Sequence, residues 1–127
     1  MLLLDTNALV ALLIYPHRLG QQTHRTIERA GEVFCSSISL AELHIKSLRR
    51  KFDIEPVMAS LAAESGVQVL PFKQSDAVQV SSQTTLINHD PFDRLILATA
   101  FSNRANLITS DRVLLSLGLS WIFDSFD

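Results

Sequence analysis

A chain of 127 residues with a net charge of −2, 47% hydrophobic and 19% charged, has room for one domain spanning residues 1–127 and for a core that needs no staples. Its single cysteine, Cys35, excludes an intramolecular disulfide, and four glycines and four prolines exclude long flexible linkers. The near-neutral balance also excludes a globally basic nucleic-acid binder, so a case for such a partner must rest on local features.

The opening stretch Met1–Tyr15 is apolar, but it lacks a basic leader and is interrupted by Asp5 and Asn7. Its longest uncharged apolar run, Ala8 to Tyr15, is far below the ~20 residues of a membrane span, so buried structure, no membrane and a reduced cytoplasm are expected. Leu2 to Asp5 reads as a short strand ending in an acid, and Asn7 to Ile14 as a helix. Pro16 and Gly20 break the chain before an amphipathic helix over Gln21–Ala30, stopped by Gly31. Glu32–Ser36 predicts a second strand. A helix opens at Ser39 and runs to about Lys51, with Leu40, Leu43 and Leu48 on its buried side.

Pro56 marks the start of a helix that runs to Glu64, before Gly66. Val67–Phe72 predicts a third strand and Asp76–Thr85 a further helix. The strongest helical signal is Pro91–Asn103, where Phe92, Leu95, Ile96, Leu97, Ala98, Ala100 and Phe101 predict an element buried on nearly all sides. Leu107–Thr109 follows as a fourth strand, Val113–Leu117 as a short helix ended by Gly118, and Ser120–Phe123 as a fifth strand. Strands separated by helices imply right-handed crossovers, and hence an α/β fold: a three-layer α/β/α domain around a mainly parallel sheet of about five strands.

Ligands of open parallel sheets bind beyond the carboxyl ends of the strands. Asp5 ends the first strand, Asp111 follows the fourth, and Glu42 lies in the first turn of the helix after the second, so all three should project from one rim. Asp93 opens the most apolar helix on the stripe of Leu97 and Ala100, and should lean inward. Three of the acids have structural alternatives. Ser39 and Glu42 have the spacing of a capping box; Asp90-Pro91-Phe92-Asp93 reads as N-cap, proline at N1 and an acid at N3; Asp111 can cap the next helix. Asp5, flanked by apolar runs, has no obvious solvated position. Four acids at one rim repel one another unless a cation compensates, and oxygen ligands favour Mg²⁺ or Mn²⁺ over Zn²⁺. Such an ion activates water and stabilises phosphoryl charge, the chemistry of phosphodiester hydrolysis.

The segments LLLDTNALVALL, SSISLAEL, HDPFDRLILATA and LITSDRVLL, spread over residues 2–115, together resemble PIN domains, and most closely the VapC-type toxins of prokaryotic toxin–antitoxin pairs. The resemblance implies that Asp5, Glu42, Asp93 and Asp111 form an acidic quartet holding one or two Mg²⁺ or Mn²⁺ ions, with Asp5 and Asp93 as direct ligands and Glu42 coordinating or orienting the attacking water. It places Thr6, Asn7 and Ser110 where they would orient those carboxylates. It further implies endoribonuclease action on RNA, a homodimer, and neutralisation by a cognate antitoxin.

Lys46, Arg49, Arg50 and Lys51 form the densest basic stretch. Cations near a helix C-terminus explain it, and contact of Lys46, Arg49, Arg50 or Arg94 with an RNA backbone is the functional alternative. His17, His24, His44 and His89 show no metal-ligand spacing and read as surface or satisfied histidines; His89, near the rim, is a weak candidate for proton transfer. Two competing readings are a Mg²⁺-binding phosphoacceptor receiver domain and a catalytically inactive RNA-binding or scaffolding module. The first needs paired acids after strand one and a lysine after a late strand. Here Thr6 and Asn7 follow Asp5, and Leu107–Asp111 holds no lysine. The second would be favoured by loss of an acid from the quartet, and all four are present.

Overall fold

A computed structural model describes residues 1–82 and 86–127. Five strands, β1 (Leu2–Leu4), β2 (Val33–Ser36), β3 (Val67–Leu70), β4 (Asn106–Thr109) and β5 (Ile122–Asp124), form one sheet in the order β3-β2-β1-β4-β5 with every pairing parallel. The helices are α1 (Thr6–Ile14), α2 (Gln21–Arg29), α3 (Ser37–Leu48), α4 (Glu55–Ala62), α5 (Gln74–Gln79), α6 (Pro91–Ser102) and α7 (Arg112–Ser116).

Side-chain alternation along the central strand builds the two outer layers. Leu2 and Leu4 of β1 face one side and pack with Leu9 of α1, Leu43 of α3 and Val57 of α4. Leu3 points to the other side and packs with Ile96, Leu97 and Ala100 of α6 and Leu114 of α7. All three leucines are buried, as the short LLL run requires of a strand covered on both faces. The α/β/α layering expected from the sequence is the observed one. Because β1 leads outward to β2 and β3 on one side while β4 and β5 lie on the other, the strand order reverses between β1 and β4, the place where open α/β sheets bind ligands.

Several boundaries differ from the sequence reading. Helix α3 starts two residues before Ser39, capped by Ser36, whose hydroxyl accepts from the Ile38 amide at 3.0 Å. It ends at Leu48 rather than near Lys51: the Lys51 amide reaches back to the Lys46 carbonyl and the Arg50 amide to that of Ser47, with Arg50 at φ 55° in the left-handed region. That is a Schellman ending made with an arginine where glycine is usual. Leu48, expected on the buried side, is 84% exposed, since the last turn runs past the core. Phe101 of α6, expected inside, is 47% exposed, so this helix keeps one solvent-facing edge.

Strand β3 stops at Leu70 and β5 begins at Ile122 rather than Ser120. Helix α5 starts two residues before Asp76, because the Asp76 carboxylate accepts from the Lys73 amide at 2.9 Å. Residues 83–85, the end of the helix predicted there, lie outside the described residues. No helix among the described residues is long and apolar enough to cross a membrane.

Candidate active site

The register Leu4↔Ile108 sets Asp5 directly across from Thr109, at the reversal between β1 and β4. There the Thr109 hydroxyl donates to Asp5 Oδ2 and accepts from the Asp111 amide at 3.0 Å, tying the first and last acids of the quartet through one side chain. Asp5 Oδ1 accepts from the Ala8 amide at 2.8 Å. Asp5 therefore also caps α1, a structural role the sequence did not suggest for it.

One residue on, Thr6 donates to Glu42 Oε1 at 2.6 Å, and Ser39 Oγ lies 3.0 Å from the same hydroxyl. Because Ser36 caps α3, Ser39 and Glu42 both lie inside the helix, and the expected capping box does not form. Glu42 is buried and turned toward α1, with Lys46 Nζ 3.2 Å from its other oxygen. Asp90, Pro91 and Asp93 take the N-cap, N1 and N3 positions of α6 as their order suggests, Asp90 accepting from the Phe92 amide at 2.8 Å. Asp111 caps α7 through the Leu114 amide, using Oδ1 and leaving Oδ2 toward the rim.

The tightest cluster contains a residue that the sequence reading set aside. His89 Nε2 lies 3.2 Å from Asp93 Oδ2 and 3.2 Å from Asp111 Oδ2, and the three ligand atoms fall within 4.8 Å of one another. The four histidines do lack ligand spacing among themselves. The usable signal is instead the position of His89 directly before the Asp90-Pro91 helix opening, four residues ahead of Asp93.

Burial pushes the Asp5 carboxyl up to about 6; the hydrogen bonds from Thr109 and Ala8 oppose the shift, and the charges of Asp111 and Glu42 add to it. Asp93 is pushed up to about 7, by burial first and then by the charges of Asp111, Asp90 and Asp5. Asp111 moves the other way. Its partial burial acts upward, but the Leu114 amide, His89 and the hydrogen bond with Asp93 outweigh it and hold the group below the usual carboxylate range. Asp5, Asp93 and Asp111 thus act on one another, Glu42 adds to the field at Asp5, and two of the acids resist ionisation. An oxygen-rich donor group with one imidazole is a set that a divalent cation would fit.

Of the other expected residues, Thr6 supports Glu42 directly, while Asn7 and Ser110 line a groove beside the acids. That groove, about 400 Å³, is also lined by Lys46, Arg18, Tyr15, Phe52 and Phe126. Lys46 is the one member of the basic stretch brought to the acids. Arg49 and Arg50 lie about 10 Å further along the axis of α3 from Glu42, at its exposed end. Arg94 points a guanidinium nitrogen at the Ile87 carbonyl, 3.4 Å away. Sequence reasoning missed Thr109, since a threonine in an apolar strand carries no distinguishing pattern, and gave Ser39 only a capping role rather than its contact with Thr6.

Over residues 2–118 the sequence matches the family model described as PIN domain. The chain belongs to the PIN-domain family. Among solved structures, this PIN domain is similar to a chain of the DNA-bound VapBC of Salmonella typhimurium, with a TM-score of 0.71 at 23% identity and 98% of each chain covered. It is similar to a chain of a toxin–antitoxin complex from Klebsiella pneumoniae, with a TM-score of 0.67 at 20% identity, covering 100% of this chain and 99% of the other. FitAcB from Neisseria gonorrhoeae gives 0.62 at 20% identity, with 97% and 96% covered. No curated protein sequence matches it. At these identities the solved structures support the PIN fold, and the residues at the carboxyl edge must carry the argument for chemistry.

Proposed function

We propose that this PIN domain is a metal-dependent endoribonuclease, with Asp5, Glu42, Asp93 and Asp111 as its catalytic acids and Mg²⁺ or Mn²⁺ as its cofactor. The observation that supports the reading is a chain of contacts at one rim: Asp5 and Asp111 share the Thr109 hydroxyl, Asp111 and Asp93 both face His89, and Thr6, next to Asp5, donates to Glu42. Retaining such a cluster costs stability unless a cation joins it, which marks it as functional.

A divalent ion held there supplies Lewis acidity for a phosphate oxygen and for the attacking water. Asp5, Asp93 and Asp111 would hold it. Glu42, oriented by Thr6 and Lys46, would position the water and take its proton as the oxygen bonds to phosphorus, while the opposite P–O bond breaks and the departing oxygen takes a proton from solvent. The adjoining groove suits the rest of the substrate: its lining carries two cations, Arg18 and Lys46, and no acid, with aromatic rings from Tyr15, Phe52 and Phe126. Phosphates and unstacked bases of single-stranded RNA bind surfaces of that composition.

The toxin role extends the same reading. The Klebsiella structure is a toxin–antitoxin complex, and a cytoplasmic toxin acting as a homodimer fits the reading, with a cognate antitoxin that would set a basic side chain against the acids beside the groove. The deciding experiment is RNA cleavage by the purified protein with Mn²⁺ or Mg²⁺ against EDTA, repeated for Asp5→Asn. Cleavage should vanish on chelation and fall by orders of magnitude in the variant; equal turnover would defeat the proposal. A short DNA-binding protein encoded in the adjacent reading frame, able to suppress cleavage, tests the toxin assignment.

A further inference from the structure

We infer that His89 is a nitrogen ligand of the ion held by Asp93 and Asp111, and that it makes this centre favour Mn²⁺ or a later first-row ion over Mg²⁺. The inference rests on the metal-dependent reading above and adds to it a donor outside the acidic quartet.

His89 Nε2 stands 3.2 Å from one oxygen of each aspartate. Donors bound 2.0–2.2 Å from a common ion lie about 2.8–3.1 Å apart at right angles and about 3.3–3.6 Å apart at the tetrahedral angle. The observed separations therefore match a shared coordination sphere as well as they match hydrogen bonds. In both aspartates the oxygen facing His89 is Oδ2, and in Asp111 the other oxygen is already committed to capping α7. The donor set thus converges without breaking the helix cap.

The imidazole is also held in place by its backbone. Leu86 is buried in the core, and the His89 amide closes a turn onto its carbonyl at 2.9 Å. Asp90 then caps α6 and Pro91 fixes the next φ, so His89 is clamped just before a helix whose third residue is Asp93. Its side chain is 19% exposed, sheltered enough to be ordered yet open to an entering ion.

Exchanging one oxygen donor for imidazole changes which ion is preferred. Mg²⁺ takes oxygen ligands and gives up its waters reluctantly, whereas affinity for mixed nitrogen and oxygen sites rises from Mn²⁺ onward through the first transition row. A centre of His89, Asp93 and Asp111, with Asp5 beside it, should discriminate against Mg²⁺ in a way that a purely carboxylate centre does not.

The test uses Mn²⁺ alone, with no RNA. Pulsed electron paramagnetic resonance of the Mn²⁺-loaded protein should show coupling to a directly bound ¹⁴N. That coupling should disappear in His89→Gln, which keeps a polar oxygen at the position. Calorimetric titration should show Mn²⁺ affinity falling about tenfold or more in the variant, with Mg²⁺ affinity changed far less. Urea unfolding of the metal-free variant checks that the fold persists. Bound Mn²⁺ without nitrogen coupling, or coupling that survives in His89→Gln, overturns the role of His89 and leaves the metal-dependent nuclease standing. Failure of the wild-type protein to bind Mn²⁺ at all overturns both.

Discussion

Consider replacing Asp5 by asparagine in the metal-free protein. The carboxyl is pushed from 3.8 to about 6, so the unfolded chain releases its proton at a lower pH than the folded one. A group shifted in that direction favours folding below the unfolded value and loses that contribution as pH rises through the folded value. With 1.36 kcal/mol per unit, the full swing is about 3 kcal/mol, and about half of it falls between pH 5 and pH 8. Asparagine does not titrate. It keeps an oxygen for the Ala8 amide but presents an NH₂ to the Thr109 hydroxyl, an exchange whose cost hardly varies with pH. The quantity to read is therefore how the difference between variant and wild type changes with pH. Followed by thermal unfolding in EDTA, the variant should gain about 1.5 kcal/mol on wild type between pH 5 and pH 8, about 5 °C in Tm for a chain of this length. Saturating Mn²⁺ should reverse the order at pH 8, because the wild type binds the ion more tightly. Parallel Tm curves for the two proteins across that range in EDTA would refute the reasoning.

Thr109→Val keeps the shape but leaves Asp5 Oδ2 and the Asp111 amide without their shared partner. Urea unfolding should show a loss of about 1–3 kcal/mol, most of it regained in Thr109→Ser. Leu97→Ala empties a fully buried position between α6 and the sheet and should cost about 2–5 kcal/mol, read from the urea midpoint at unchanged slope. Arg50→Gly removes the strain of a left-handed arginine at the end of α3 and should raise stability by about 0.5–1 kcal/mol. No change, or a loss, would mean that the Schellman ending is absent in solution.

Much of the frame was readable residue by residue. The run LLL ending in an acid reads as a short strand, and it is covered on both faces. Asp90-Pro91 marks the opening of α6 whatever surrounds it, because a capping carboxylate and a fixed φ act within one turn. Parallel order followed from the alternation of strands and helices, since each helix must carry the chain back to the same end of the sheet. The failures are at places where tertiary context outweighs the local signal. Ser39 has the spacing of a cap followed by Glu42, but α3 begins directly where β2 ends and Ser36 takes the cap. Leu48 continues the apolar stripe of its helix, but the helix outruns the core it packs on.

The sequence by itself determined which residue types were at hand: four acids in segments of recognisable pattern, three of them beside a strand end or a helix start, where side chains and orphaned backbone amides meet within a few residues. Only the tertiary structure decided how they combine. The reversal of strand order between β1 and β4 brings Thr109 against Asp5 from 104 residues away, α3 turns Glu42 onto Thr6, and His89 enters between Asp93 and Asp111. Caps and strands are short-range matters of backbone hydrogen bonding, which a local pattern records. Distances between side chains on different elements depend on sheet register and helix docking, which no window of sequence contains.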